Sequence, residues 1–251
     1  MVPDLHPLIG DGRAAVATWL TLPDPSIAEA IAEAGFDFVI ADGEHGPLDT
    51  SDLYALLAAT RASAIPLLYR VGANEPIRIM HALDAGASGV VIPQVRTVAD
   101  AERAIAWCRY PPSGLRGIAP RRASGYGRRT AAYLEAANAL VSCVVQIETR
   151  EALTVLDDIL GVPGLDTILV GPNDLAASLG HTGNIADPEV EEAIAHIGAR
   201  ARAAGVPAGL WTGSSTQARL RLSQGWSWVT VGSDYGFVVA AADSTVREVR
   251  G

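Results

Sequence analysis

Two short stretches of this chain end in residues able to hold a metal ion. VVQIETREAL, residues 144–153, and ILVGPNDL, residues 168–175, each begin as an apolar run that stops at a carboxylate, Glu148 in the first and Asp174 in the second. A helix is expected just beyond each. Parallel strands closed into a barrel would bring the two acids side by side at the C-terminal rim, where barrel enzymes carry their chemistry. Two carboxylates there can hold a hard divalent cation and leave positions open for water and substrate. Acids in such places also cap the helices that follow. Spacing alone accommodates both readings.

The elements that must position these acids are legible as an alternation. Strand-like apolar runs are expected at 15–19, 36–41, 66–70, 89–93, 143–147, 167–170, 207–211 and 228–231. Continuous runs of this kind suit parallel strands buried on both faces. Helices are expected at 26–34, with Ser26 as N-cap and Gly35 just past the end, and at 50–60, with Leu53, Leu56 and Leu57 at helical spacing. Others are expected at 76–85, opened by Pro76 and closed by Gly86, and at 98–108, 130–140, 150–160, 189–204 and 216–224. Eight alternating units predict a single (β/α)8 barrel domain over 1–251, with an N-terminal arm at about 1–12. Residues 110–129, YPPSGLRGIAPRRASGYGRR, hold four Gly, three Pro and five Arg. They read as a long loop, expected on the active-site side. A second long connection spans 181–188.

Composition narrows the chemistry. A length of 251 residues, 49% of them hydrophobic, suits one large closed core. A net charge of −9 argues against nucleic acid as a partner. No run reaches the roughly 18 apolar residues of a membrane helix, and the start MVPDLH lacks a signal's basic and apolar regions. A cytoplasmic protein is expected, with Cys108 and Cys143 as buried free thiols. All 19 basic residues are Arg. Without lysine there is no Schiff-base aldolase, no pyridoxal enzyme and no Walker-type nucleotide loop.

Read in order, the expected strand ends carry Trp19, the turn ADGEHGP (41–47), Tyr69-Arg70, Pro93-Gln94, Gln146 with Glu148, and Gly171–Asp174. Acid–base and anion-binding types converge on one rim. From about residue 35 to about 232 the chain resembles the HpcH/HpaI family of metal-dependent 2-oxo-acid aldolases. DFVIADGEHGP, the arginine of LLYRVGANEP, LDAGASGVVIPQV, YPPSGLRG, VVQIETREAL and LVGPNDLAASLG carry the resemblance together.

That resemblance implies a TIM barrel of the phosphoenolpyruvate/pyruvate type and a set of roles. Glu148 and Asp174 would bind a divalent ion such as Mg2+, Mn2+ or Co2+. Arg70 would hold the substrate's keto oxygen. His45, paired with Asp42, would be the acid–base group acting through water. Asp84 would reach the active site of a neighbouring subunit in a homo-oligomer, a hexamer in the family pattern. Gln146 and the turn Gly171, Pro172, Asn173, Asp174 would orient the substrate carboxylate; Trp19, from its place at a strand end, is expected to line the pocket. Asn173 and Trp211 depart from the small and aliphatic residues common at their places; both would lie near the substrate, so they leave its identity open. The implied reaction is reversible cleavage of a 4-hydroxy-2-oxo acid to pyruvate, or hydroxypyruvate, and an aldehyde. A CoA-ester lyase of the citrate or malyl type and a non-catalytic 2-oxo-acid-binding barrel are the alternatives.

Overall fold

In the computed structural model, which describes residues 2–10 and 12–251, the alternation closes on itself. Strands β1 (Ala15–Leu20), β2 (Phe38–Asp42), β3 (Leu67–Arg70), β4 (Gly89–Ile92), β5 (Ser142–Ile147), β6 (Thr167–Val170), β7 (Ala208–Thr212) and β8 (Trp228–Ser233) form one closed barrel. Every neighbouring pair is parallel, β8 returning to β1 with a register shift between Ala17 and Trp19. The helices are α1 (His6–Gly10), α2 (Pro25–Ala32), α3 (Thr50–Ala59), α4 (Pro76–Ala85), α5 (Val98–Cys108), α6 (Thr130–Leu140), α7 (Arg150–Thr154), α8 (Leu156–Leu160), α9 (Pro172–Leu179), α10 (Pro188–Ala204), α11 (Ser215–Ser223) and α12 (Asp234–Arg250).

Side chains alternate across a strand, and this decides what the barrel can carry. One parity, including Val39, Ala41, Leu67, Val90, Ile92, Val145, Ile168 and Leu210, packs outward into the helices. The other, including Ala17, Phe38, Ile40, Leu68, Val91, Val144, Leu169 and Trp228, fills the interior. Trp228 meets Phe38 edge-on at 5.3 Å and donates its indole N–H to Thr167 at 2.9 Å. A Cβ at Gly209 would collide with the Trp228 ring, so this strand position has to be glycine.

Within the expected N-terminal arm, Leu5 and Ile9 are buried in the interior cluster. Three expectations are corrected. Asp24, not Ser26, caps α2, because Pro25 fits the first helical position. The stretch 150–160 is two short helices broken at Val155, whose ψ of 22° leaves the helical region. The loop 110–129 lies at the opposite end from the rim. It follows a helix, so it returns at the N-terminal side of the barrel. There Arg122 donates to the carbonyls of Leu57 and Ala85, in the last turns of α3 and α4. Among the described residues, no helix is long and apolar enough to cross a membrane.

Candidate active site

The interior parity that buries Val144 also points Gln146 and Glu148 into the top of the barrel. Glu148 is only 1% exposed. Its Oε1 accepts the backbone N–H of Gln94 at 2.8 Å, and its Oε2 accepts the amide of Gln146. Gln94 holds φ at 55°, the left-handed region that non-glycine residues occupy at a cost of about 1–3 kcal/mol. That strain aims its N–H at the carboxylate. A Cβ on Gly171 would sit 2.6 Å from Glu148 Oε2 and 2.7 Å from Gln146 Nε2, so this glycine makes room for the pair. Burial, with the negative fields of Asp174 and Glu44 added, pushes the Glu148 pKa up to about 7 despite the Gln94 hydrogen bond.

Neither acid is the helix cap that spacing allowed. Thr149 caps α7 through the N–H of Ala152, which frees Glu148. Asp174 is not at a strand end: β6 stops at Val170, Gly171 is the N-cap of α9, and Asp174 stands half-buried in that helix's first turn.

Arg70 lies opposite Asp42 in the β2–β3 register. Its Nε donates to Asp42 Oδ1 at 2.9 Å and its Nη2 to Oδ2 at 2.6 Å, a bidentate pair. Its Nη1 is 3.1 Å from Glu44 Oε2, and the guanidinium stacks 4.4 Å above the Trp19 ring. Trp19 is buried and anchored by its indole N–H on Thr230 at 3.0 Å. Burial works against the Asp42 charge, but the hydrogen bonds and charge of Arg70 outweigh it and hold its carboxyl below the usual range.

The expected His45–Asp42 pairing is corrected. Asp42 meets His45 through the backbone, Oδ1 accepting the N–H groups of Glu44 and His45. The His45 ring, 65% exposed, instead has Glu44 Oε2 at 3.8 Å. Gln146 lines the same mouth; its amide nitrogen donates to Glu148, and its buried Oε1 has no hydrogen-bond partner.

A cavity of about 380 Å3 lies at the rim, lined among others by Trp19, Asp42, His45, Arg70, Gln146, Gly171, Pro172, Asn173, Asp174 and Trp211; Glu148 and Glu44 do not line it but touch its lining through Gln146 and Arg70. Asp84 is not among them. It sits near the end of α4 at the opposite face, 2.7 Å from the buried Arg116, so within one chain it cannot join this site. Sequence reasoning missed Glu44, though DGEHGP displays it between two residues it did select. It also missed Thr21, Ser233 and Tyr235, which wall the cavity from the β1 and α12 side.

A hard divalent cation fits these residues. Glu148 is a buried carboxylate with no Arg or His within ion-pair distance among the described residues, and a second acid faces the same mouth. Such a charge calls for a cation. The available donors are oxygens, the type that Mg2+ and Mn2+ prefer.

A closed parallel barrel with an acid-lined C-terminal mouth defines an enzyme of the (β/α)8 class. The profile described as HpcH/HpaI aldolase/citrate lyase matches residues 16–241. A hydroxypyruvate/pyruvate aldolase of Rhizorhabdus wittichii is 40% identical over 243 residues, 96% of each chain. A 5-keto-4-deoxy-D-glucarate aldolase of Escherichia coli is 41% identical over 230 residues, 91% of this chain and 90% of the relative. The crystal structure of an HpcH/HpaI aldolase/citrate lyase family protein from Burkholderia cenocepacia superposes with a TM-score of 0.95 at 38% identity, covering 98% of this chain and 99% of that one. The chain belongs to the HpcH/HpaI aldolase/citrate lyase family and is a carbon–carbon lyase.

Proposed function

We propose that this protein reversibly cleaves 4-hydroxy-2-oxo acids to pyruvate or hydroxypyruvate and an aldehyde, with Glu148 and Asp174 as metal ligands. The observation that carries the reading is the buried Glu148 carboxylate, which has no Arg or His within ion-pair distance among the described residues and feels the negative charge of Asp174. A divalent ion held there supplies Lewis-acid polarisation of the substrate's keto group when bound. Arg70, locked by Asp42 and Glu44, presents a fixed positive charge to the negative charge that develops on the keto oxygen. His45 stands exposed at the mouth, where its ring can exchange protons with solvent and pass one to or from substrate through a water. The turn 171–174, at the uncapped N-terminus of α9, offers N–H donors for the substrate carboxylate, and Gln146, whose free atom is the acceptor Oε1, would join them by turning its amide over. The size of the rim cavity suits a small acid and aldehyde rather than a CoA thioester.

The proposal includes a homo-oligomer, a hexamer in the family pattern, in which Asp84 serves a neighbouring site. It is supported by Tyr235, Val238, Val239, Val246 and Val249 of α12, which expose apolar surface on one chain. A cytoplasmic location agrees with the unbonded, buried Cys108 and Cys143.

Chelation tests the assignment. Turnover of a 4-hydroxy-2-oxo acid in a coupled pyruvate assay is expected to disappear after EDTA treatment and to return with Mg2+, Mn2+ or Co2+. Full turnover in thoroughly chelated protein contradicts it. Trp211, half-buried on the rim wall, is expected to set the room left for the aldehyde. Trp211→Leu should re-rank aldehydes by about 1–3 kcal/mol per methylene-sized difference while pyruvate chemistry persists. An unchanged ranking in the kcat/KM values would place the determinant elsewhere.

A further inference from the structure

The barrel's other end holds a second cavity, of about 610 Å3, between the last turns of α3 and α4 and the loop 110–129. Arg61, Arg122, Arg128 and Arg129 line it, and no Asp or Glu does. In a chain of net charge −9 this is a local reversal of sign. Nine arginines elsewhere sit within ion-pair distance of a carboxylate. None of these four does, among the described residues.

The cluster is built rather than scattered. Arg122 is fixed on the carbonyls of Leu57 and Ala85. Burial lowers its pKa, with the nearby positive charge of Arg61 adding to it against the opposing influence of Tyr126 and Tyr54. Ser88 lines the same cavity, is 1% exposed, and has an Oγ with no hydrogen-bond partner. Arg129 is also the N-cap residue of α6, whose amino end has no side-chain cap and no acid in its first turn. Free N–H groups there add positive potential. Tyr126, also lining the cavity, is held at φ 57°, a strained backbone of the kind found at binding sites.

We propose that this cavity binds a small, multiply charged oxyanion, a phosphate ester or a polycarboxylate, at a site separate from the catalytic rim. Converging guanidinium forks, a buried hydroxyl and an open helix N-terminus form an all-donor set, which suits several charged oxygens on one small molecule.

Calorimetric titration of the full-length protein at fixed ionic strength tests this, with inorganic phosphate in one arm and citrate in the other. Arg61 and Arg128 are exposed, so the double variant Arg61→Ser/Arg128→Ser leaves the fold and the Arg122 ties in place. Saturable binding of at least one anion is expected in the wild-type protein, weakened by about tenfold or more in the double variant. Aldol cleavage without added anion should be unchanged. Ser88→Ala should weaken the same anion by a smaller factor at unchanged Tm. Loss confined to the phosphate arm assigns a phosphate ester, and loss confined to citrate assigns a polycarboxylate. The proposal is overturned if neither anion binds, or if both bind the double variant as they bind the wild type. It is overturned too if the variant changes oligomeric mass with no effect on anion affinity, which would assign these arginines to a subunit contact.

Discussion

Arg70→Lys is expected to lower retro-aldol turnover by about two to four orders of magnitude while leaving a folded barrel. One guanidinium meets three demands at once. It grips both oxygens of Asp42, reaches Glu44 at 3.1 Å, and stacks over Trp19 at 4.4 Å. A lysine ammonium is a compact point charge on a flexible stem and cannot satisfy a bidentate, stacked position. The charge survives the substitution, but its placement over the keto oxygen does not. The loss should therefore fall on kcat more than on KM. A pH signature accompanies it. In the native protein Arg70 holds the Asp42 carboxyl below its usual range. Asp42 therefore contributes stability above its unfolded pKa, and that contribution is lost as pH falls through the folded value. With lysine the contribution shrinks, and the acid limb of the Tm–pH curve should move upward. Turnover within about threefold of wild type would show that Arg70 serves only to brace Asp42 and Glu44.

Glu148→Gln should abolish turnover and yet stabilise the metal-free protein at pH 8. The native carboxylate has its pKa pushed from 4.5 to about 7, first by burial and then by Asp174 and Glu44. For an acid with a raised folded pKa the native state binds the extra proton. The penalty is absent below the unfolded value, grows as pH rises from 4.5 toward 7, and is complete above that. A shift of this size corresponds to about 3 kcal/mol. Glutamine keeps an acceptor for the Gln94 N–H and offers an amide N–H to the unpartnered oxygen of Gln146 once that amide turns over. Denaturant unfolding of chelated proteins should show the variant ahead at pH 8, with its lead fading toward pH 5. Divalent ions should then reverse the order, because only the wild type gains a ligand that stabilises the folded state. A variant less stable than wild type at pH 8 without metal would mean that Glu148 is braced as a structural anion, not waiting for a cation.

How far the sequence reveals this enzyme follows from what kind of signal each residue leaves. The strands were legible because a parallel sheet buried on both faces is written as unbroken apolar runs; the misplaced edges, such as Phe36 for Phe38, fall where a turn abuts the strand. Helix ends closed by a left-handed glycine, such as Gly86, were legible as well. The start of α2 was misread because Ser26 is a good cap by type, while Pro25 before it could occupy only the helix's first position. The site's membership was legible as residue types at strand ends, but the pairings within it were not. Asp42 lies three residues from His45 in the chain, yet it faces inward with the parity of Phe38 and Ile40 and so meets Arg70 across the strand. Local proximity lost to register. Gln94 acts through a backbone N–H, which no side-chain pattern announces. The long loop follows α5 and precedes α6, and a chain leaving a barrel helix emerges at the N-terminal end of the strands, so the expected place at the rim is corrected by topology. Helix α12 went unread because a mostly exposed helix buries no stripe: among its residues only Asp234 is buried, holding the backbone of Thr21 and Leu22.

Exchange of the C3 hydrogens of pyruvate in D2O, followed by NMR without any aldehyde, tests the central claim most directly. It isolates proton removal beside the keto group from every question of aldehyde choice. Exchange is expected to require a divalent ion, to stop on chelation, to be missing in Glu148→Gln and to be severely reduced in Arg70→Lys. Exchange at the wild-type rate in chelated protein or in Glu148→Gln, or no exchange with any divalent ion while pyruvate still binds at the rim, would contradict that claim.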